Sequence, residues 1–357
     1  MKRRGKRIRR FLTGVFLSAD IVSLLLLWAC CLLTWVPPYF CPRLAVACLT
    51  FPIILLFNLL WLPFWLLFKP KYALVPLIGI LLTGGFILDY FPLHRSPTQA
   101  DADLTILSWN VMNFTYKDIK ERQEELFAYI DSVDADIICL QECAGGKIAA
   151  DLKERLLEQG YEHHETNGRT IYSRFPILSH DTLSAKTSLN NGVNVYELLR
   201  GEDTLVVMNT HLESNFLSTE DKYDGKAALK SRDRNELKQE GKRLWGKLAN
   251  SQSNRGRQTD TLTAALDTHF ARASVIVCGD FNDTPISYAC QQLSRRLENA
   301  YRNKGFGIGV SYNEHLFLFR IDHLFHSNDW QTLSARVDNS SLLSDHYPLI
   351  VKLRRKY

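Results

Sequence analysis

VCGDFNDTP (Val277–Pro285) sets an aspartate and an asparagine directly after a run of β-formers. SDHYP (Ser344–Pro348) sets Asp345 and His346 at the start of YPLIVKL, a second strand pattern. Asp280 and Asn282 alternate with Gly279 and Phe281, so on an extended backbone both side chains leave the same face. Carboxylate, amide and imidazole groups gathered at strand ends are what metal-assisted hydrolysis requires: a carboxylate for the cation, a base for water, and positive charge for a developing phosphate.

Upstream the chain alternates strand and helix patterns. LTILSWNVMNF (104–114) reads as a strand, and EELFAYIDSV (124–133) as a helix with Leu126, Tyr129, Ile130 and Val133 on one face. DIICLQE (136–142) is a short apolar strand, and IAADLKERLLEQG (148–160) a helix stopped by Gly160. TIYSRFPIL, VNVYELL and TLVVMNTHLES follow as strands; after a charged stretch come SVIVCGDFND, the helix SYACQQLSRRL, and the strand FRIDHLFHS. Asn110, Glu142, His211, Asp280, Asp322 and the Asp345–His346 pair all fall at strand ends, where sheets collect function. Any one of them alone would read as a satisfied core or loop residue. Periodicity by itself stops at a mixed α and β domain.

The first 95 residues differ in kind. Three apolar stretches, roughly Phe11–Val36, Leu44–Phe68 and Ala73–Phe91, each reach the ~20 residues that cross a bilayer. Residues 1–10 contain seven Lys or Arg, Lys69 and Lys71 follow the second stretch, and only Arg43 follows the first. The positive-inside rule therefore places the N-terminus in the cytoplasm and everything after Phe91 on the outer, periplasmic side of a cell (inner) membrane. Pro52 and Pro63 admit a re-entrant hairpin in the second stretch, which would invert that topology. Ala29 before Cys30 admits a lipoprotein cleavage, although Trp28 fits it poorly. Asp20 either marks the end of a shorter first span or faces the other helices.

The division expected is a basic N-terminus with three spans over 1–95, a polar linker over 96–103 (SPTQADAD), and one domain over 104–357. Residues 96–357 hold 32 basic and 36 acidic side chains, a net charge of −4, which gives no support for a globally basic nucleic-acid surface. The eight cysteines show no zinc-type spacing; Cys139 and Cys278 sit inside apolar strand patterns as small hydrophobes.

The strings LSWNVMNF, DIICLQE, IYSRFPI, NTHLES, GDFNDTP, RIDHLF and SDHYPLIV resemble, in order, those of the endonuclease/exonuclease/phosphatase family. That family includes DNase I-like nucleases, AP endonucleases, neutral sphingomyelinases and inositol polyphosphate 5-phosphatases. The likeness covers nearly all of 103–357 and none of 1–100. It implies an α/β sandwich of two mixed β-sheets flanked by helices, and phosphoester hydrolysis by metal-activated water with Mg²⁺ or Mn²⁺. By the same likeness Glu142 resembles the principal metal carboxylate, with Asn110 and Asp345 beside the metal. Asp280 resembles the residue that orients or deprotonates water, and Asn282 its partner amide. His346 resembles the catalytic histidine and Asp322 the acid that orients it. His211 matches a phosphate-contacting position, and Asn110 and Asn282 also reach the phosphate. Ser173 and Arg174 read as scaffold, Asn113 as a less favoured neighbour, and His323 as structural because it points to the opposite face from Asp322.

The strings that mark inositol polyphosphate 5-phosphatases and AP endonucleases are missing: Cys278 stands just before Gly279, and Arg320-Ile321-Asp322 replaces C-D-R. What remains is a membrane-anchored phosphodiesterase. Its substrate is a lipid headgroup, a nucleotide or a nucleic acid, its other partner is the bilayer, and no obligate protein partner is implied. A nuclease is the alternative enzyme; a non-catalytic membrane receptor for a phosphorylated ligand is the alternative of another class. Residues 215–257 carry 11 basic and six acidic side chains, and read either as a solvated helix or as a lid attracting an anionic substrate.

Overall fold

The structure, a computed structural model, describes residues 2–94, 101–183, 191–215, 234–312, 314 and 319–356. Most of the expected linker (96–100) and part of the charged stretch (216–233) lie outside them.

The N-terminal part is a helical bundle: α1 (Lys2–Leu33), α2 (Pro42–Ala47), a 3₁₀ turn (Cys48–Thr50), α3 (Phe51–Phe68), α4 (Leu74–Leu82) and α5 (Gly84–Tyr90). Arg3–Leu33 and Pro42–Phe68 are each long and apolar enough to cross a membrane. The third apolar stretch is not one straight helix: α4 and α5 meet at 61°. The second stretch, where a re-entrant break was conceivable, is continuous through Pro63; the break falls instead at Thr83–Gly84. Asp20 faces the other helices, where Trp65 Nε1 donates to its Oδ2 at 2.7 Å. Asn58 Nδ2 donates to Ser23 O (3.1 Å) and Trp61 Nε1 to Ser23 Oγ (3.1 Å), so polar groups tie α1 to α3 within the bundle.

The rest is two packed six-stranded sheets. The first contains β1 (Leu104–Asn110), β2 (Ile137–Gln141), β3 (Glu162–Thr166), β4 (Arg169–Ser173), β11 (Trp330–Val337) and β12 (Leu349–Arg355), in the order β11-β12-β1-β2-β4-β3. The second contains β5 (Ile177–Leu183), β6 (Gly192–Arg200), β7 (Asp203–His211), β8 (Ser274–Asp280), β9 (Glu298–Asn299) and β10 (Asp322–His326), in the order β5-β6-β7-β8-β10-β9. Both are mixed: β1 pairs parallel with β2, and β7 with β8, among otherwise antiparallel neighbours. The run TIYSRFPIL is not one strand. It breaks at Arg174–Pro176 into β4 and β5, one in each sheet, because proline cannot continue a ladder and the chain must cross.

Residue parity decides what lies between the sheets. Leu104 and Ile106 of β1, Ile137 and Cys139 of β2, Leu205 and Val207 of β7, Ile276 and Cys278 of β8, and Leu324 of β10 share one core. The opposite parity faces outward. Leu107 and Trp109 pack under α6 (Gln123–Val133) and α7 (Lys147–Glu158). Val206, Val275 and Val277 pack under α8 (Arg234–Thr268) and α9 (Tyr288–Ser294). The short α10 (Ala300–Lys304) completes the domain. All eight cysteines are free.

The bundle and the domain are fastened together. Tyr39 Oη donates to Asp260 Oδ2 at 2.8 Å, and the Arg295 guanidinium lies 3.3 Å over the Trp35 ring. Buried Asp89 takes Arg302 Nη1 at 2.7 Å and Gln291 Nε2 at 2.8 Å, while Arg320 donates to the Asp89 carbonyl. Ile286 packs in one cluster with Leu27, Phe51, Leu55 and Tyr90. Every fastening on the bundle side comes from the α1–α3 connection or from the bundle residues around it and the end of α5. The domain therefore sits at the end of the bundle opposite the basic N-terminus.

Candidate active site

Continuing the inward parity to the strand tips explains the site. Asn110 follows Leu104 and Ile106 on β1; His211 follows Leu205 and Val207 on β7; Asp280 follows Ile276 and Cys278 on β8. Their side chains leave the same inner faces at the same edge. Asp322 opens β10 instead of closing it, and Asp345–His346 precede β12. Those strands run antiparallel, so their beginnings meet the other strands' ends: Asp322 lies in register with Asp280. All eight residues singled out by the sequence are thus gathered at this edge of the sandwich.

The geometry is dense. Asn110 Nδ2 donates to Glu142 Oε1 and to Asp280 Oδ2, each at 3.1 Å, and so ties a residue of the first sheet to one of the second. Its Oδ1 accepts from Met112 N at 3.0 Å. Asn282 N donates to Asp280 Oδ1 at 2.8 Å, and Asn282 Nδ2 to Leu212 O at 3.1 Å. Asn282 is not on an extended backbone: its φ of 51° is left-handed, and so is that of Glu142 at 48°. Glu142 directly follows β2 and Asn282 stands two residues past the end of β8, and each turn brings its residue back over the edge. Asn, with its short polar side chain, tolerates that conformation well; Glu142 is strained there. Gly279, one step earlier, has φ 136°, and a Cβ there would lie 1.9 Å from Thr210 O. Only glycine lets β7 and β8 approach this closely.

His346 Nδ1 lies 2.8 Å from Asp322 Oδ2, and its Nε2 lies 3.7 Å from Asp280 Oδ2. Burial alone would push the ring down, but the carboxylates of Asp322 and Asp280 and the hydrogen bond override it and hold the imidazole well above its ordinary value. Burial pushes Asp280 up to about 7, against the pull of the His346 charge. Asp280 is therefore a far better base near neutrality than the ordinary aspartate the sequence suggests. Burial pushes His211 down to about 4, so its ring is neutral. Its Nε2 is buried without a hydrogen-bond partner, 3.6 Å from Glu142 Oε1 and 3.7 Å from Asp280 Oδ2. Asp345 is raised by burial and then by the neighbouring Glu142 carboxylate, beyond what His346 offsets. Asp280, Asp322 and His346 bring ligand atoms within 4.8 Å of one another. As an imidazolium bound to Asp322, His346 is a hydrogen-bond donor and not a metal ligand.

His323 points the other way, as its parity requires. Its Nε2 donates to Asp283 O at 3.0 Å, and its ring packs edge-on against Phe281. Arg174 pairs with Asp134 and lies over Tyr161, away from the site. Asn113 Oδ1 accepts from Ala144 N at 3.3 Å and holds the turn beyond Glu142.

Sequence reasoning missed three supports. Gln141 Nε2 donates to Asn209 Oδ1 at 2.8 Å, joining the two sheets just beneath the site; amides at inward parity inside apolar strands were the available signal. Tyr312 lines the cavity and packs against His346 with centroids 5.0 Å apart. Arg255 is the third. Only 1% of its side chain is exposed; Nε reaches Asp283 Oδ2 at 3.2 Å and Nη1 donates to Glu213 O at 2.7 Å. The charged stretch is therefore not a uniformly solvated helix: Lys238 and Lys242 are exposed, whereas from Ala249 onward α8 is largely buried against the second sheet.

The site opens into a cavity of about 340 Å³. Glu142, Asp280, Asn282, Asp345 and His346 line one side of it.

A family model described as "Endonuclease/Exonuclease/phosphatase family" matches residues 107–346, and one described as "Domain of unknown function (DUF8431)" matches 12–90. No curated protein matches the chain. Among solved structures, D. rerio TDP2 complexed with a single strand DNA product superimposes with a TM-score of 0.52 at 17% identity, covering 71% of this chain and 100% of that one. An endonuclease/exonuclease/phosphatase from Bacteroides vulgatus gives 0.51 at 16% identity, covering 72% and 100%. At such identities these neighbours speak for the fold alone. The family match spans the first strand to His346, taking in every strand tip that meets at the site; this chain belongs to the endonuclease/exonuclease/phosphatase family and is a phosphoester-hydrolysing enzyme.

Proposed function

We propose that the chain is a membrane-anchored, divalent-cation-dependent phosphodiesterase, with its spans in 1–95 and its catalytic domain over 104–357. The observation that carries the reading is the buried, unpartnered His211 Nε2 aimed between Glu142 and Asp280. A buried nitrogen left without a partner costs free energy unless a ligand atom satisfies it, and a phosphate oxygen does so.

The donor set fits a hard cation. Glu142 and Asp345 supply carboxylates to one cavity, Asn110 holds Glu142 in place through its Nδ2, and Asp345 feels the Glu142 charge. Oxygen donors of this kind suit Mg²⁺ or Mn²⁺. When bound, the cation would polarise the phosphoryl oxygen and offset its negative charge.

The protein's own groups then divide the work. Asp280 takes a proton from the attacking water, and its raised basicity suits neutral pH. Asn282 and Asn110 fix the Asp280 carboxylate and so aim it. His346, charged and held by Asp322, donates toward the phosphorus-bound oxygens as charge builds on them. The neutral His211 donates to the remaining oxygen. The new bond is water oxygen to phosphorus; the bond that breaks is phosphorus to ester oxygen, which leaves with the electron pair and takes a proton from solvent, to which Asp280 returns the one it took.

The test is hydrolysis of bis-p-nitrophenyl phosphate before and after EDTA, with Mg²⁺ or Mn²⁺ restored. The DNA product held by the D. rerio TDP2 structure motivates a nuclease as the second reading; a single-stranded oligonucleotide assayed alongside separates the two. The basic N-terminus supports a cytoplasmic start and a domain outside the cell membrane. Protease added to intact spheroplasts should cut the domain; its protection until lysis would reverse the orientation.

A further inference from the structure

The cavity over the active site has two unlike sides, and the second belongs in part to the membrane bundle. Val46 of α2 and Leu49 of the following 3₁₀ turn line it, facing Glu142, Asp280 and His346 across the same space. Trp245 and Leu248 of α8 and Ile321 extend the apolar side. Val46 and Leu49 lie in the first turns of Pro42–Phe68, the second of the two segments long and apolar enough to cross a bilayer. They stand at the end of that segment nearest Leu33, where the other one finishes, and so at one boundary of the apolar layer. Around it, Trp35, Phe40 and Leu44 are 62%, 70% and 54% exposed, a hydrophobic rim of the kind that sits at a lipid interface.

We propose that the substrate is a phosphodiester carried on a hydrocarbon chain, a lipid drawn from the bilayer in which the protein sits. The inference rests on the phosphodiesterase reading and narrows its substrate. Three observations converge on it. First, the polar and apolar sides adjoin, so one molecule that fills the cavity presents a phosphate to His346 and Asn282 and methylenes to Val46, Leu49 and Trp245. Second, one spot in the lining, where His346 and Asn282 stand beside Glu142, Asp280 and Asp345, answers one phosphate; a lipid brings one, whereas a nucleic-acid strand brings a succession of them. Third, the apolar side is fixed in place by Asp89 with Arg302, by Tyr39 with Asp260 and by Trp35 with Arg295. A volume of about 340 Å³ suits the phosphodiester and its first methylenes, with the remaining chain passing the exposed rim toward the bilayer.

The experiment uses the full chain in lipid nanodiscs with Mg²⁺ and a series of p-nitrophenyl alkyl phosphodiesters: methyl, butyl and octyl. A single-stranded oligonucleotide is run in parallel. Burying a few methylenes against the wall should raise kcat/KM from methyl to octyl by at least about tenfold. Partitioning into the nanodisc also favours the octyl ester, so the same series is run on Leu49→Asn and on Trp245→Ala. Partitioning is unchanged by either substitution; the octyl-to-methyl ratio should fall at least about fivefold in each. A flat series, a ratio unmoved by both substitutions, or a preference for the oligonucleotide overturns the lipid inference while leaving hydrolysis itself intact. Failure to cleave any ester with metal present overturns both the inference and the reading beneath it.

Discussion

Asp322 Oδ2 stands 2.8 Å from His346 Nδ1, and this contact joins the opening of one strand to a residue three before the start of another, across the two sheets. It fixes which ring nitrogen faces the cavity. Asp322→Asn preserves the volume and removes the charge, so it should lower kcat about 10²-fold with KM changed far less. His346→Ala should lose at least as much, and the double variant little more than the worse single one. Additive losses would mean the two do not act as a unit.

Arg255 holds the turn after Asp280 from outside, through Asp283 and the Glu213 carbonyl. Arg255→Met removes one partner of a buried ion pair and leaves Asp283 uncompensated. The expected cost is about 3–5 kcal/mol, read as a lower unfolding midpoint in denaturant. Asp283→Asn in the same background should recover part of it. A variant as stable as the parent would show that the pair contributes nothing.

The glycine of GDFN has a steric reason. A methyl group at Gly279 would lie 1.9 Å from the Thr210 carbonyl oxygen, and the backbone there has φ 136°. Gly279→Ala should cost at least about 3 kcal/mol and displace Asp280, so that both melting temperature and turnover fall. Parent-like melting with normal turnover would refute this.

Acid sensitivity should follow from His323. Burial, then the Arg320 charge, pushes its ring down to about 3, whereas an unfolded histidine titrates near ~6.5. The unfolded chain thus binds a proton that the folded one refuses. The stability due to the neutral ring is complete above about pH 6.5 and is lost as pH falls from there toward 3, by about 1.4 kcal/mol per pH unit. His323→Gln keeps a donor for Asp283 O and should flatten the loss between pH 6.5 and 4.5. Parallel stability curves for the two proteins would contradict it.

Much of this was legible before the fold was known, because hydrophobic alternation carries strand parity and parity carries the direction of each tip residue. Asn110, His211 and Asp280 could be aimed inward from the sequence for that reason. What alternation cannot express is the turn beyond a strand: the left-handed backbones at Glu142 and Asn282 depend on where the ladder ends. Nor could it divide TIYSRFPIL between two sheets, since both halves are apolar and only Pro176 marks the crossing. Arg255 was hidden for a different reason. Its neighbours in sequence (Gln252, Ser253, Asn254, Arg257) are polar and follow a charged run, and its burial is set by partners 28 and 42 residues away. The bend between α4 and α5 escaped notice because hydropathy measures length and not direction.

On the proposed reading, Glu142, Asp280 and His346 form one cation-dependent phosphoesterase centre. The decisive measurement is the turnover of bis-p-nitrophenyl phosphate by the full chain, stripped with EDTA and then titrated with Mg²⁺ or Mn²⁺, beside Glu142→Gln and Asp280→Asn. Turnover should vanish without metal and recover on addition, Glu142→Gln should show a weaker apparent metal affinity, and Asp280→Asn should lose about 10²-fold or more in kcat. Turnover that survives EDTA, or an Asp280→Asn enzyme that works at the parent rate, would contradict it.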